Sequence, residues 1–200
     1  MNLRYKLLKR FLDIILAYVL LLVFYIPMIV IALIIKIFDG GPVVFRQVRV
    51  GMGGKRFVCY KFRTMRCDAP SNLSTEEFSN AHDYITRIGV FLRRTSLDEI
   101  PQLFNVLAGD MSLVGPRPII PNESDIHEMR KELGVLRVRP GITGLAQICG
   151  RDNLSNIRKA ECDAIYVSNM CLQCDVKILI ATVCRVVSKD GITEYQKTVT

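Results

Sequence analysis

From Ile14 to Ile35 the chain carries no charged residue, and nearly every side chain is Ile, Leu, Val, Phe, Tyr, Met or Ala. A helix of that length can cross the ~30 Å hydrocarbon core of a bilayer. A secretory signal fits poorly, because its apolar region is ~7–15 residues long and precedes a small-residue cleavage site. This run ends instead in Lys36-Ile37-Phe38-Asp39, so residues 1–38 read as a permanent anchor. Basic residues lie before it (Arg4, Lys6, Lys9, Arg10) and after it (Lys36, Arg46, Arg49, Lys55, Arg56). The positive-inside tendency therefore gives a simple crossing no clear orientation. Pro27, near the middle, removes one helical hydrogen bond and clashes with the preceding turn. A kinked span and a helix–break–helix hairpin both accommodate it. The re-entrant hairpin is favoured, since it leaves both basic flanks in the cytoplasm.

After the anchor, Asp39-Gly40-Gly41-Pro42 is a turn cluster that opens a second unit, residues 39–200. Val43–Val50 and Arg56–Phe62 are rich in β-branched and aromatic residues and flank a glycine-rich stretch, Gly51–Lys55, which predicts a β-hairpin. The glycines do not form a phosphate-binding GxxxxGK[ST] loop. Residues 68–83 are polar and turn-like. Ile85, Ile88, Phe91 and Leu92 share a helical face with Arg87, Arg93 and Arg94 nearby, so this helix lies either on an anionic membrane surface or against a core. Ile100, Leu103, Phe104 and Leu107 repeat at helical spacing and predict a short core-facing helix closed by Gly109. Pro116, Pro118, Pro121, Pro140 and Gly141 mark rigid loops, and two more helical patterns follow near 155–168 and 175–188. The fold class is helix-rich α/β.

Two hundred residues suit one domain with a short attached element. A hydrophobic content of 50% and a mean hydropathy of +0.26 agree with the anchor, while a net charge of +8 points to an anionic partner. Nucleic acid, acidic lipid and phosphorylated small molecules all satisfy that charge. Seven cysteines, odd in number and scattered, argue against a secreted disulfide framework and for a reducing compartment. Cys171 and Cys174 form a CxxC pair, but zinc needs two more ligands, and the only histidines, His82 and His127, are distant in sequence. The pair reads as small residues on a helix.

The densest polar segment is Arg93-Arg94-Thr95-Ser96-Leu97-Asp98-Glu99-Ile100-Pro101-Gln102. Ser96 and Glu99 have capping-box spacing. Pro101 favours Asp98 as the N-cap instead, because proline then falls at N3, where its missing N–H costs little. Capping explains one acidic residue well and two adjacent ones less well. The basic surroundings add a chemical reading. A helix start favours anions, Arg93 and Arg94 precede it, and Arg117 follows between Pro116 and Pro118. Lys61 and Arg63 alternate along a strand and are expected on one face. A carboxylate amid such cations is expected to keep a low pKa and act as a nucleophile, and a second to hold Mg²⁺ shared with substrate phosphates. Each arginine taken alone reads as a solvated surface charge.

Four stretches then carry a resemblance: Tyr60–Met65 (YKFRTM), Thr95–Leu107 (TSLDEIPQLFNVL), Gly109–Pro118 (GDMSLVGPRP) and Pro140–Gln147 (PGITGLAQ). In order and spacing they resemble the bacterial sugar transferases, the small monotopic phosphoglycosyl transferases. The resemblance implies transfer of a sugar 1-phosphate from a UDP-sugar to polyprenyl (undecaprenyl) phosphate with release of UMP. It further implies a first membrane step of glycan synthesis at the cytoplasmic face of the inner membrane, with downstream glycosyltransferases taking up the product. Asp98 matches the family's covalent nucleophile and Glu99 the residue associated with Mg²⁺. Arg93 and Arg117 match the phosphate site, and Lys61 belongs to another basic motif. The implied fold is a re-entrant helix broken at a proline, here Pro27, plus a small α/β catalytic domain with amphipathic helices on the membrane. Three positions depart from the family pattern: Ile26 where Ser is frequent, Cys149 where Asn is usual, and the Asn156–Ala160 region. Two other readings remain at this stage. One is a membrane-tethered basic binding protein without catalysis, which leaves the Asp98-Glu99 pair unexplained; no nucleic-acid-binding motif is present. The other is a metal-dependent phosphoesterase on the same lipid.

Overall fold

The apolar run forms one α-helix, α1 (Leu3–Phe38), in a computed structural model of the chain that describes residues 3–70, 81–150 and 154–188. Its 36 residues span ~54 Å if straight. Pro27 lies inside the helix and does not end it. Packing on both sides of the proline accounts for this. Asp13, Ala17, Leu20, Leu21, Phe24, Met28, Ile31 and Ile35 recur at helical spacing and face the rest of the protein along the whole element. Only 11% of the most apolar window is buried, however, and the outer face, including Leu22, Val23, Tyr25, Ile26 and Val30, is exposed. Length and composition suffice to cross a membrane.

The hairpin forms as expected. β1 (Val44–Val50) and β2 (Arg56–Phe62) pair antiparallel from Val44↔Phe62 to Val50↔Arg56, joined by a 3₁₀ turn at Met52–Gly54 with Gly53 at φ 67°. The polar stretch 68–83 lies mostly outside the described residues.

α2 (Arg87–Thr95) starts later than the apolar pattern suggests, because Thr86 caps it, its Oγ1 accepting from Gly89 N at 2.9 Å. Ile85 therefore sits before the helix, bridged to Met65. Leu92 is buried and Ile88 packs beside it, whereas Phe91 faces outward. Gly89 is required where it stands: a Cβ there would lie 2.0 Å from the Thr64 carbonyl oxygen.

α3 (Gln102–Ala108) buries Leu103 and Val106 and ends at Gly109 with φ 94°. Phe104, expected on the core face, is exposed instead, and Asn105 is buried in its place. The Asn105 carboxamide ties α3 to β2, donating to Val58 O at 2.7 Å and accepting from Tyr60 N at 3.1 Å.

β3 (Ser112–Val114) and β4 (Gly141–Thr143) form a two-stranded parallel sheet, with α4 (Ser124–Glu132) between them in sequence. α5 (Leu145–Cys149), α6 (Asn156–Ser168) and α7 (Leu172–Ser188) complete the described chain. The core joins Ala17 of α1 to Leu103, Val106, Met111, Leu113, Val114, Tyr166 and Ile178. Polar contacts reinforce that junction. The buried Asp13 carboxylate accepts from Ser112 Oγ at 2.7 Å and Leu113 N at 3.1 Å, and Arg10 donates to Val106 O at the end of α3. Asp175 of α7 accepts from Tyr5 and Lys9 of α1 and from Tyr166 of α6.

Candidate active site

Asp98 and Glu99 do not open a helix as caps. They sit in a 3₁₀ turn, Leu97–Glu99, between α2 and α3, and Pro101 occupies the N-cap of α3. The turn is entered through Ser96, the one non-glycine residue at positive φ (55°) among those described. That left-handed residue also closes α2, its N–H bonding to Arg93 O at 3.2 Å. One residue in a sparsely populated conformation thus reverses the chain and turns the two carboxylates toward β2.

The two carboxylates occupy different electrostatic environments. Glu99 Oε1 accepts from Lys61 Nζ at 2.7 Å and from Arg117 Nη1 at 3.1 Å, and these cations hold Glu99 below the ordinary glutamate range despite its desolvation. Asp98 is 8% exposed, and no hydrogen bond reaches its carboxylate among the described residues. Burial pushes Asp98 up to about 6, against the pull of Lys61, Arg93 and Arg117 and reinforced by the charge of Glu99. The low pKa expected for a nucleophile at this position is therefore seen at Glu99 and not at Asp98. At neutral pH Asp98 is still mostly ionised, and it is poorly solvated.

The expected cations separate into two groups. Lys61 and Arg117 meet at Glu99. Arg93 points its Nε to Thr64 Oγ1 at 2.9 Å and lies near enough to Asp98 to lower its pKa. Arg63 is not brought to this cluster: its buried guanidinium donates to Gly40 O and to Cys67 Sγ and so braces the Gly40–Gly41 turn. β2 ends at Phe62, so the strand alternation that would align Arg63 with Lys61 no longer applies there.

Residues not anticipated from sequence complete the walls. A small cavity beside Glu99 is lined by Arg49, Cys59, Lys61, Gln102, Arg117 and Pro118. Arg49 donates to Pro118 O at 3.1 Å and to Gln47 Oε1. Arg130, buried and paired with Asp163, donates to Arg117 O at 2.7 Å. Consecutive carbonyls of the Arg117 loop are thus held by two arginines, which fixes where the Arg117 fork points. Burial pushes the Cys59 thiol up, so it stays protonated and does not compete as a nucleophile. The paired glutamine at 47 and the arginine at 49, alternating on one strand face, are the one local signal for this wall.

No cluster of three or more His, Cys, Asp or Glu side chains able to hold a metal occurs among the described residues. Mg²⁺ needs only one or two protein carboxylates where phosphate oxygens complete its shell, and Lys61 and Arg117 both bond Glu99 Oε1, which leaves Glu99 Oε2 without a hydrogen bond among the described residues. The arrangement offers a desolvated carboxylate with no hydrogen-bond partner beside a ring of cations that suits phosphate oxygens.

The family model for bacterial sugar transferases matches residues 4–189. The sugar transferase EpsL of Bacillus subtilis, itself uncharacterized, is 43% identical over 163 residues, covering 80% of this chain and 78% of EpsL. The UDP-glucose:undecaprenyl-phosphate glucose-1-phosphate transferase of Escherichia coli is 43% identical over 185 residues, covering 89% of this chain and 40% of that protein. The Caulobacter vibrioides transferase of the same name is 39% identical over 192 residues, covering 92% and 71%. The chain spans about two fifths of the longer relatives, such as the E. coli protein and a Haemophilus influenzae sugar transferase. With the family model covering almost the whole chain, this protein belongs to the bacterial sugar transferase family.

Proposed function

We propose that the chain is a phosphoglycosyl transferase that moves a sugar 1-phosphate from a UDP-sugar to polyprenyl phosphate through a covalent phosphosugar-aspartate. The observation that carries this reading is the contrast within the carboxylate pair: Glu99 is bound by two cations, whereas Asp98 is desolvated and accepts no hydrogen bond. A carboxylate stripped of solvation is reactive toward phosphorus once substrate charge is offset nearby. In the first step an Asp98 oxygen attacks the sugar-bearing phosphorus, the bond to the UMP oxygen breaks, and UMP leaves. In the second, a polyprenyl phosphate oxygen attacks the same phosphorus and the Asp98 carboxylate is regenerated. Arg93, Lys61 and Arg117 orient the phosphates and offset their charge. Glu99 would hold Mg²⁺, which supplies Lewis-acid stabilisation of the phosphate oxygens when bound.

The membrane arrangement follows the same logic. A polyprenyl chain stays in the bilayer and a UDP-sugar is soluble, so transfer belongs at the interface. α1 contacts the catalytic unit through both its beginning (Tyr5, Arg10, Asp13) and its end (Ile31, Ile35). A helix crossing the bilayer would leave one end on the far side with nothing to pack against. This supports a monotopic, re-entrant seating in the inner membrane, with both flanks and the catalytic unit on the cytoplasmic side and the exposed face in lipid.

UMP release from a panel of UDP-sugars, with and without polyprenyl phosphate and Mg²⁺, tests the chemistry. Release that depends on Asp98 supports it, and full turnover by Asp98→Asn overturns the nucleophile assignment. Thiol labelling at residue 2 in sealed vesicles tests the seating: labelling only from the outer side refutes it.

A further inference from the structure

Gln102 stands three residues after Glu99, at the start of α3, and is 3% exposed. Its side chain lines the cavity shared by Arg49, Lys61 and Arg117. A carboxamide brings two N–H donors and an accepting oxygen, and buried ones are ordinarily satisfied by the protein. Asn105, one turn further along α3, is satisfied in that way by Val58 and Tyr60 of β2. Among the described residues, no hydrogen bond reaches the Gln102 carboxamide. Two amides on one short helix therefore differ in role: one binds the strand, and the other faces a cation-lined cavity with its hydrogen-bonding capacity unused.

We propose that Gln102 is a substrate-binding residue whose carboxamide donates to one oxygen of a phosphate seated at the mouth of this cavity. The proposal rests on the phosphoglycosyl-transfer reading and extends it to a residue outside the carboxylate and arginine set. The surrounding charge supports an anion as the partner. Lys61 and Arg117 share one oxygen of Glu99, and Arg49 faces the cavity with no carboxylate bonded to it among the described residues. Cations in that number draw a phosphate group in, and a neutral amide adds a directed hydrogen bond without further like-charge repulsion. The phosphate comes either from the UDP-sugar or from the polyprenyl phosphate, and each has its own arm in the test.

Gln102→Leu removes the polar atoms at similar volume, and Gln102→Glu keeps the shape but replaces the N–H donors with charge. In the first arm, UMP release is measured against UDP-sugar concentration. In the second, lipid-linked product is measured against polyprenyl phosphate concentration. Loss of a hydrogen bond to a charged group is expected to raise KM in one arm by roughly tenfold or more, with kcat less affected and the glutamate variant worse than the leucine variant. The melting temperature of Gln102→Leu should match or exceed that of the wild type, because no protein contact is lost. KM within twofold of wild type in both arms overturns the proposal, as does a leucine variant that melts markedly lower or fails to fold. Calorimetric titration with UDP separates this from the catalytic reading: a wild type that releases no UMP defeats the transfer reading, whereas UDP binding weakened by Gln102→Leu still supports the role of Gln102.

Discussion

Replacing Asp98 with Asn should abolish turnover and at the same time stabilise the protein. Burial raises the Asp98 pKa from 3.8 to about 6, so ionising this carboxyl costs roughly 3 kcal/mol more in the folded chain than in the unfolded one. Above pH 7 the side chain is ionised in both folded and unfolded chains, and that whole penalty is carried by the native state. At pH 5 the unfolded chain is ionised and the folded one mostly protonated, which leaves roughly half of that penalty. Below pH 3.8 the penalty disappears. Asparagine carries no charge at any of these values. Asp98→Asn should therefore melt above the wild type by roughly 6–12 °C at pH 8, by about half that at pH 5, and by little near pH 4. Thermal unfolding in nanodiscs across this range is the assay, paired with UMP release at pH 8. A variant that melts below the wild type at pH 8, or a gap that does not shrink with acidity, would refute the claim that desolvation of this carboxylate is stored in the fold.

Other consequences can be checked separately. Lys61 is the largest opposing charge on Asp98, so Lys61→Met should move the acid limb of the pH–rate profile from about 6 to higher pH by ~1 unit or more; an unmoved limb would show the two groups to be uncoupled. Asp13→Ala leaves the buried Leu113 N–H without its acceptor and the Ser112 hydroxyl with Val114 O alone, and should cost ~1–3 kcal/mol in denaturant unfolding. Gly89→Ala drives a methyl group against the Thr64 carbonyl, which should loosen the Arg93–Thr64 contact and lower kcat/KM by about tenfold or more; wild-type kinetics would count against α2 as the support of Arg93.

The anchor, the hairpin and the carboxylate pair are legible in the sequence because each is encoded locally. The anchor is a charge-free run, the hairpin is two β-rich segments around a glycine turn, and the pair stands inside one basic segment. What stays hidden depends on partners far along the chain. Asp13 lies 99 residues from Ser112 and Arg49 lies 69 from Pro118, and no periodicity announces either contact. Arg63 shows the converse: strand alternation assigns it to the face of Lys61, but the strand stops one residue earlier. The capping argument fails for a similar reason, since the left-handed backbone at Ser96 inserts a 3₁₀ turn where helix spacing assumes a continuous start. At Pro27 the sequence shows only that a helical hydrogen bond is lost, while the stripes packed on either side of it depend on residues far along the chain.

The placement of Asp13 has a consequence for biogenesis. α1 precedes its partners in the chain, which come from segments between residues 62 and 178. Its Asp13 carboxylate and its packing stripe therefore stay unmatched until β3 and α7 have been made. A fragment beginning after Phe38 would expose the surfaces of Leu103, Val106, Leu92 and Phe62 that α1 covers. Residues 39–188 therefore share one core with α1, which is a structural wall of the fold and not a removable tether.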